Sequence, residues 1–277
     1  MSTSHTPTGS PSEVAPATVA ETRDALIDRS RRDHARVPHN FVQRPRSPNT
    51  TSRVAPLATF VRNGDTRGLN AFLLLHTVIT SGASPEGWST RLPLQVWARA
   101  FNTVATASGS SATSAATKIL TRLERLKLIE RQRQGRERQV KVTLLSADGS
   151  GDPYLALTGQ SESSRFLKLS NDYWTERWDE RLTLPAIATL LVVLKEKPRC
   201  ALPTEHFPAW YGWSADTAMR GFRELEDNGL ITIDQDFVTA PLSPTGISQR
   251  NLYTARPPFD AAYRSFVGAR SAPHKPA

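Results

Sequence analysis

Two stretches of the chain about a hundred residues apart carry the same pattern, and that repeat constrains the fold more than any other feature. Residues 110–145 read SSATSAATKILTRLERLKLIERQRQGRERQVKVTLL, and residues 213–233 read WSADTAMRGFRELEDNGLITI. A shift of 102 positions sets Leu120 on Phe222, Leu123 on Leu225, Leu128 on Leu230 and Ile129 on Ile231. Each copy opens on small polar residues, continues as an amphipathic helix, breaks, and runs into a β-branched segment. In the first copy Ala116, Ile119, Leu120, Leu123 and Leu126 recur at three- and four-residue spacing, which is one face of a helix over residues 111–126. In the second, the helix over 214–227 is stopped by Asn228 and Gly229, as a left-handed cap would stop it.

The elements around each copy repeat as well. Before the first lie an apolar helix over 69–79 and a second helix over 94–101 with Pro93 at its start. After it, Gly135 marks a turn, and Val140, Val142 and Leu144 alternate as a returning strand does. Before the second copy, Thr183 caps a helix over 185–195 and residues 204–211 form a short helix bent at Pro208. Gly212 and Trp213 make the turn into the repeat, and Leu252 and Tyr253 sit in a return strand. The expected organisation is an unstructured basic tail (1–56), a first unit (57–147), a flexible linker (148–164), a second unit (165–262) and a loose C-terminal tail (263–277). Within the tail only Leu26 and Ile27 give residues 17–36 an apolar face. Its Arg29, Arg31, Arg32 and Arg36 read either as solvated charges or as an arm on phosphates.

Charge separates the units. The net +9 divides into +3 over residues 1–56 (eight Arg, five acids), +7 over 57–148 (thirteen Lys and Arg, six acids) and −1 over 149–277 (fourteen against fifteen). A basic unit attracts polyanions by releasing their counterions, and a balanced one does not. With the apolar stripe of the first repeat helix facing a core, Ser114, Thr117, Lys118, Thr121, Arg122 and Arg125 point away from it. Short hydroxyls allow close approach to a groove, and long cations reach phosphates or guanine edges. The following hairpin adds Arg131, Arg133, Arg136, Arg138 and Lys141. The second helix exposes Asp216, Arg220, Arg223, Glu224 and Asp227, and its hairpin opens with Asp234 and Asp236. This unit reads either as a second DNA contact or as a protein-pairing module, with Trp210, Tyr211 and Trp213 as an aromatic patch or as core.

Other chemistry finds no support. Phosphate-binding, dinucleotide, metalloprotease and nucleophile-elbow motifs are absent, so an enzyme is not expected. Cys200 is the single cysteine, and the six histidines show no metal-ligand spacing, so neither a disulfide, a metal, a cofactor nor a small-molecule ligand is expected. The longest mainly apolar run, residues 186–194, is far below the ~20 residues a spanning helix needs, and the chain reads as cytoplasmic and nucleoid-associated.

Residues 210–231, WYGWSADTAMRGFRELEDNGLI, resemble the helix-turn-helix core of bacterial winged-helix regulators. The layout over about 57–256 is similar to that of tandem winged-helix proteins of actinobacteria and of plasmid replication initiators. The resemblance implies a mainly α protein with small β wings, an α+β chain of two winged helix-turn-helix domains in tandem. It also implies a role in binding specific double-stranded DNA as a transcriptional regulator, with contacts at Ser214, Asp216, Thr217, Arg220 and Arg223 and their first-unit counterparts. An origin-binding replication initiator and a protein-binding scaffold, with a homodimer or other protein partner on the second unit, are the alternatives. The turn over 102–110 is longer than the three or four residues such motifs carry.

Overall fold

The computed structural model describes residues 15–48, 50–82, 87–105, 109–134 and 139–260. It is a mixed α and β chain with small sheets. Helix α1 (Val19–Ser30) leads into strand β1 (His34–Pro38) and a single turn, α2 (His39–Val42). Thr18 starts α1 by a reciprocal cap: its Oγ1 accepts from the Glu21 amide, and the Glu21 carboxylate accepts from the Thr18 amide. This corrects the expectation of an unstructured tail for residues 19–42. Leu26 and Ile27 are buried as a pair, and Val37, Phe41 and Val42 are fully enclosed. The segment needs no large apolar face of its own because it docks on a core supplied by later residues, with Phe41 stacked 4.2 Å from Phe72. Arg32 and Arg36 are not an extended arm either. Arg32 donates to the Thr80 carbonyl, and Arg36 donates to the Leu157 carbonyl (2.9 Å) and covers the Phe166 ring. Residues 1–14 and 261–277 lie outside the described residues.

Next come α3 (Leu57–Arg62), α4 (Thr66–Val78), β2 (Ser89–Pro93), α5 (Leu94–Ala100), α6 (Gly109–Arg125), β3 (Ile129–Gln134) and β4 (Gln139–Leu144). The three strands are antiparallel in the order β2-β4-β3. After a connecting segment follow β5 (Phe166–Ser170), α7 (Asp172–Thr175), α8 (Trp178–Arg181), α9 (Leu184–Lys195), β6 (Cys200–Ala201), α10 (Phe207–Trp210), α11 (Ala215–Asp227), β7 (Ile231–Thr239) and β8 (Ile247–Ala255). Their sheet order is β6-β8-β7. The same succession of helix, strand, two helices and hairpin therefore occurs twice, with the same pairing, and the 102-residue register carries through. α6 buries Ala116, Ile119, Leu120 and Leu123 where α11 buries Ala218, Gly221, Phe222 and Leu225. Gly221 lets α11 press onto α9: a Cβ there would lie 2.3 Å from Thr189 Oγ1 and 2.6 Å from the Pro185 carbonyl oxygen.

The connecting segment is packed, unlike the free linker expected. Leu145 bridges to Pro153, Tyr154 sits edge-on to Trp88 at 5.1 Å, and Leu157 is buried. Two further contacts join the repeats. Strand β1 pairs antiparallel with β5, and Arg23 of α1 reaches both units. Its Nε donates to the Ala100 carbonyl (2.9 Å), and its Nη1 lies 2.9 Å from the Asp179 carboxylate. Burial raises the Asp179 carboxyl to about 6, against the pull of Arg23. One continuous apolar core runs through both repeats.

Candidate nucleic-acid interface

The long helix α6 exposes a polar side because its buried residues recur every three or four positions. Ser114, Lys118 and Arg125 are exposed on it. The threonines behave differently from expectation: Thr117 donates its hydroxyl to the Thr113 carbonyl (2.9 Å) and Thr121 to the Thr117 carbonyl (2.8 Å). Such back-bonding is the usual resort of a mid-helix threonine and leaves the hydroxyl lone pairs, not the proton, facing outward.

Arg122 is turned onto Asp65. Its Nε and Nη2 meet the two carboxylate oxygens at 2.7 and 2.8 Å, a two-pronged pair. Asp65 also caps α4 by accepting from the Gly68 amide at 2.9 Å, so one carboxylate fixes α6 against α4. Arg131 folds back likewise, with Nε 2.9 Å from Glu124 and Nη1 donating to the Thr117 carbonyl. The register explains why. Arg131 pairs with Val142 and Arg133 with Val140, and residues opposite one another in an antiparallel pair share a face. Since Val140 and Val142 are buried, both arginines stand on the side of the sheet that faces α6. Arg131 is close enough to be captured by the helix. Arg133, one pleat further out, is exposed. Lys141 stands on the other face, opposite Gln132 and Arg91, and is half-buried. Arg136 and Arg138 lie outside the described residues.

In the second unit Ser214 caps α11, accepting from the Thr217 amide at 3.1 Å. Asp216 takes Arg220 in an i,i+4 pair (3.1 Å), and Arg223 is exposed. The hairpin pairs its charges, Arg250 with Asp236 (2.6 Å) and Arg199 with Asp234 (3.0 Å). Glu224 is a structural acceptor for the Thr183 amide at the start of α9 (2.7 Å). Tyr211 and Trp213 are core, packed around Phe207, and so form no surface patch. Apart from Met219 on α11, the exposed large apolar side chains described in this unit lie in the hairpin instead. Phe237 is 62% and Ile247 53% exposed, and Leu242 stands at the turn between their strands. By register Phe237 and Ile247 share the face of Ile231 and Ile233, the side on which the first hairpin carries Arg131 and Arg133.

Three features had no sequence signal. Asp65 lies 57 residues from Arg122. The first strand of each three-stranded sheet, β2 or β6, is too short to show alternation. Gly212, at φ +89°, is wedged between units: a Cβ would lie 2.8 Å from Val54, Ala58 and Arg62, and Arg62 Nε donates to its carbonyl at 2.6 Å. Among the described residues no group of His, Cys, Asp and Glu side chains is placed to hold a metal, and no helix is long and apolar enough to cross a membrane. No family model, curated protein or solved structure matches the chain.

Proposed function

We propose that the protein binds specific double-stranded DNA through two tandem winged helix-turn-helix units and acts as a transcriptional regulator. The observation that carries the reading is the twice-repeated succession of helix, strand, two helices and hairpin with one sheet order. In the first copy a long helix with exposed Ser114, Lys118 and Arg125 is followed by a hairpin on which Arg133 is exposed. A helix and a β-ribbon of this size fit the major groove and the adjoining backbone. Lys118 and Arg125 are the base- and phosphate-reading groups of α6, Arg133 with Arg136 and Arg138 grips phosphates, and Arg122 is a positioning residue. A protein of this design works where the genome lies, and its place is the nucleoid.

Selection from a random duplex pool, followed by fluorescence anisotropy, tests the reading. About five phosphate contacts give a log–log salt slope of roughly −4 to −5. Arg133→Ala should weaken all duplexes alike and flatten that slope by about 1, whereas Lys118→Ala should change the preferred sequence. No duplex binding at low salt would end the proposal.

The exposed Phe237, Leu242 and Ile247 favour a second reading for the second unit, in which its hairpin receives a protein, such as a second copy of this chain. Concentration-dependent self-association that is lost in Phe237→Ser distinguishes it from a second DNA contact.

A further inference from the structure

A cleft of about 1120 Å³ is lined by no residue of α6. One wall is the segment after α2, with Arg44, Arg46 and Arg53. Another is formed by Arg165 and by Lys195 at the end of α9. Cations thus come from three separate parts of the chain, and only Asp148 and Glu162 oppose them along the lining. Asp148 is occupied in its own turn, accepting from Ser146 Oγ (2.8 Å) and the Ser150 amide (2.9 Å). Lys195 has a partner in Glu196 at 2.5 Å. Arg53 donates to the Arg44 carbonyl, which ties the wall together at its base. Arg44, Arg46 and Arg165 are exposed and have no carboxylate within ion-pair distance among the described residues.

Unneutralised guanidiniums gathered around a concavity repel one another, and low-dielectric walls focus their field into the space between. The lining also holds a histidine, on which Glu196 opposes the nearby cations. His39 is pushed down to about 4, first by burial and then by the charge of Lys195, with Arg165 adding to it. The lining holds two more uncompensated groups. Gln43 is 3% exposed with no partner for its Nε2, and Asn40 has none for its Oδ1. Leaving buried polar atoms unpaired is costly, and both residues line the cleft.

We infer that this cleft binds nucleotide phosphates, with Arg44, Arg46 and Arg165 as the phosphate-holding side chains and Asn40 and Gln43 beneath them. Planar guanidiniums suit the oxygens of phosphate in pairs, and the volume matches a nucleotide or a short length of single strand. The source of the phosphates is either a free nucleoside triphosphate or a nucleic-acid strand, and both present the same groups to the arginines.

Calorimetry of the full chain with a nucleoside triphosphate, and anisotropy with a labelled single-stranded octanucleotide, decide the matter at low salt. One of the two probes should bind, and R44E/R46E should weaken that binding at least tenfold. R165Q should weaken it several-fold, while circular dichroism and thermal midpoint stay unchanged. Triphosphate binding marks the free nucleotide as the source, and binding of the octanucleotide alone marks the strand. Lys118→Ala, on α6, should leave cleft binding intact while altering duplex binding, so failure of one site is separable from failure of the other. The inference is overturned if neither probe binds, or if both R44E/R46E and R165Q leave the affinity unchanged. It is also overturned if inorganic sulfate displaces the probes as effectively as unlabelled probe does.

Discussion

Arg122 and Arg125 sit three residues apart on one helix, yet only one of them has a carboxylate to meet. Asp65 lies within reach of Arg122, and a bidentate pair forms that holds α6 to the cap of α4. Because Arg122 is partly exposed, its pair is screened, and Arg122→Ala should cost only about 1 kcal/mol of stability. Asp65→Ala loses the cap as well and should cost about twice that. A double-mutant cycle by chemical denaturation reads the coupling directly, and base preference should not change with Arg122. The histidines set the acid response. Burial holds His76 at about 3, and burial with Lys195 holds His39 at about 4, both below the ordinary 6.5 of an unfolded chain. Their contribution is complete above pH 6.5 and is lost as pH falls toward 4 and 3. Asp179, raised to about 6, acts the opposite way and gains stability between pH 6 and 4, but it is one group against two. The thermal midpoint should therefore fall from pH 6.5 to pH 4, and His76→Leu should make that fall shallower. An unchanged slope in His76→Leu would contradict the assignment.

Helices α6 and α11 were legible because a period of three to four survives over a dozen residues or more, whatever the rest of the chain does. The exposed side of α6 follows from the same period, and so Ser114, Lys118 and Arg125 could be read in advance. What their neighbours do could not. The capture of Arg131 by Glu124 depends on a sheet register, and that of Arg122 on a residue in a different helix. Helix α1 was illegible for a related reason: its two apolar residues suffice only because Trp174, Ala100 and the Asp179 carboxylate are waiting for it. The aromatic cluster at the end of α10 was ambiguous in sequence; packing around Phe207 makes Tyr211 and Trp213 core, while Trp210 is half-buried against the His206 ring. The apolar tip of the second hairpin gave no signal either, since alternation looks the same in a buried strand and in a strand that outruns its core.

At the scale of the whole molecule, the two units do not behave as beads on a string. A shared core, the β1–β5 pair, the Arg23 contacts and the seating of Gly212 against Val54, Ala58 and Arg62 all cross between them. Heat or denaturant should therefore unfold both in one transition, by tryptophan fluorescence and circular dichroism alike. Two separated transitions would show that the shared core is not cooperative. Arg23→Leu leaves Asp179 buried without its cation, a loss of about 3 kcal/mol, and should lower that single transition without splitting it. The pairing of an early residue with a late one also sets a timetable. Arg23 emerges from the ribosome 156 residues before Asp179, and β1 well before its partner β5. During synthesis α1 and Phe41 can meet α4 and α5 early, but Arg23 and the open edge of β1 wait until residues 166–179 have been made, so the seam between the repeats is sealed only after the first repeat is complete.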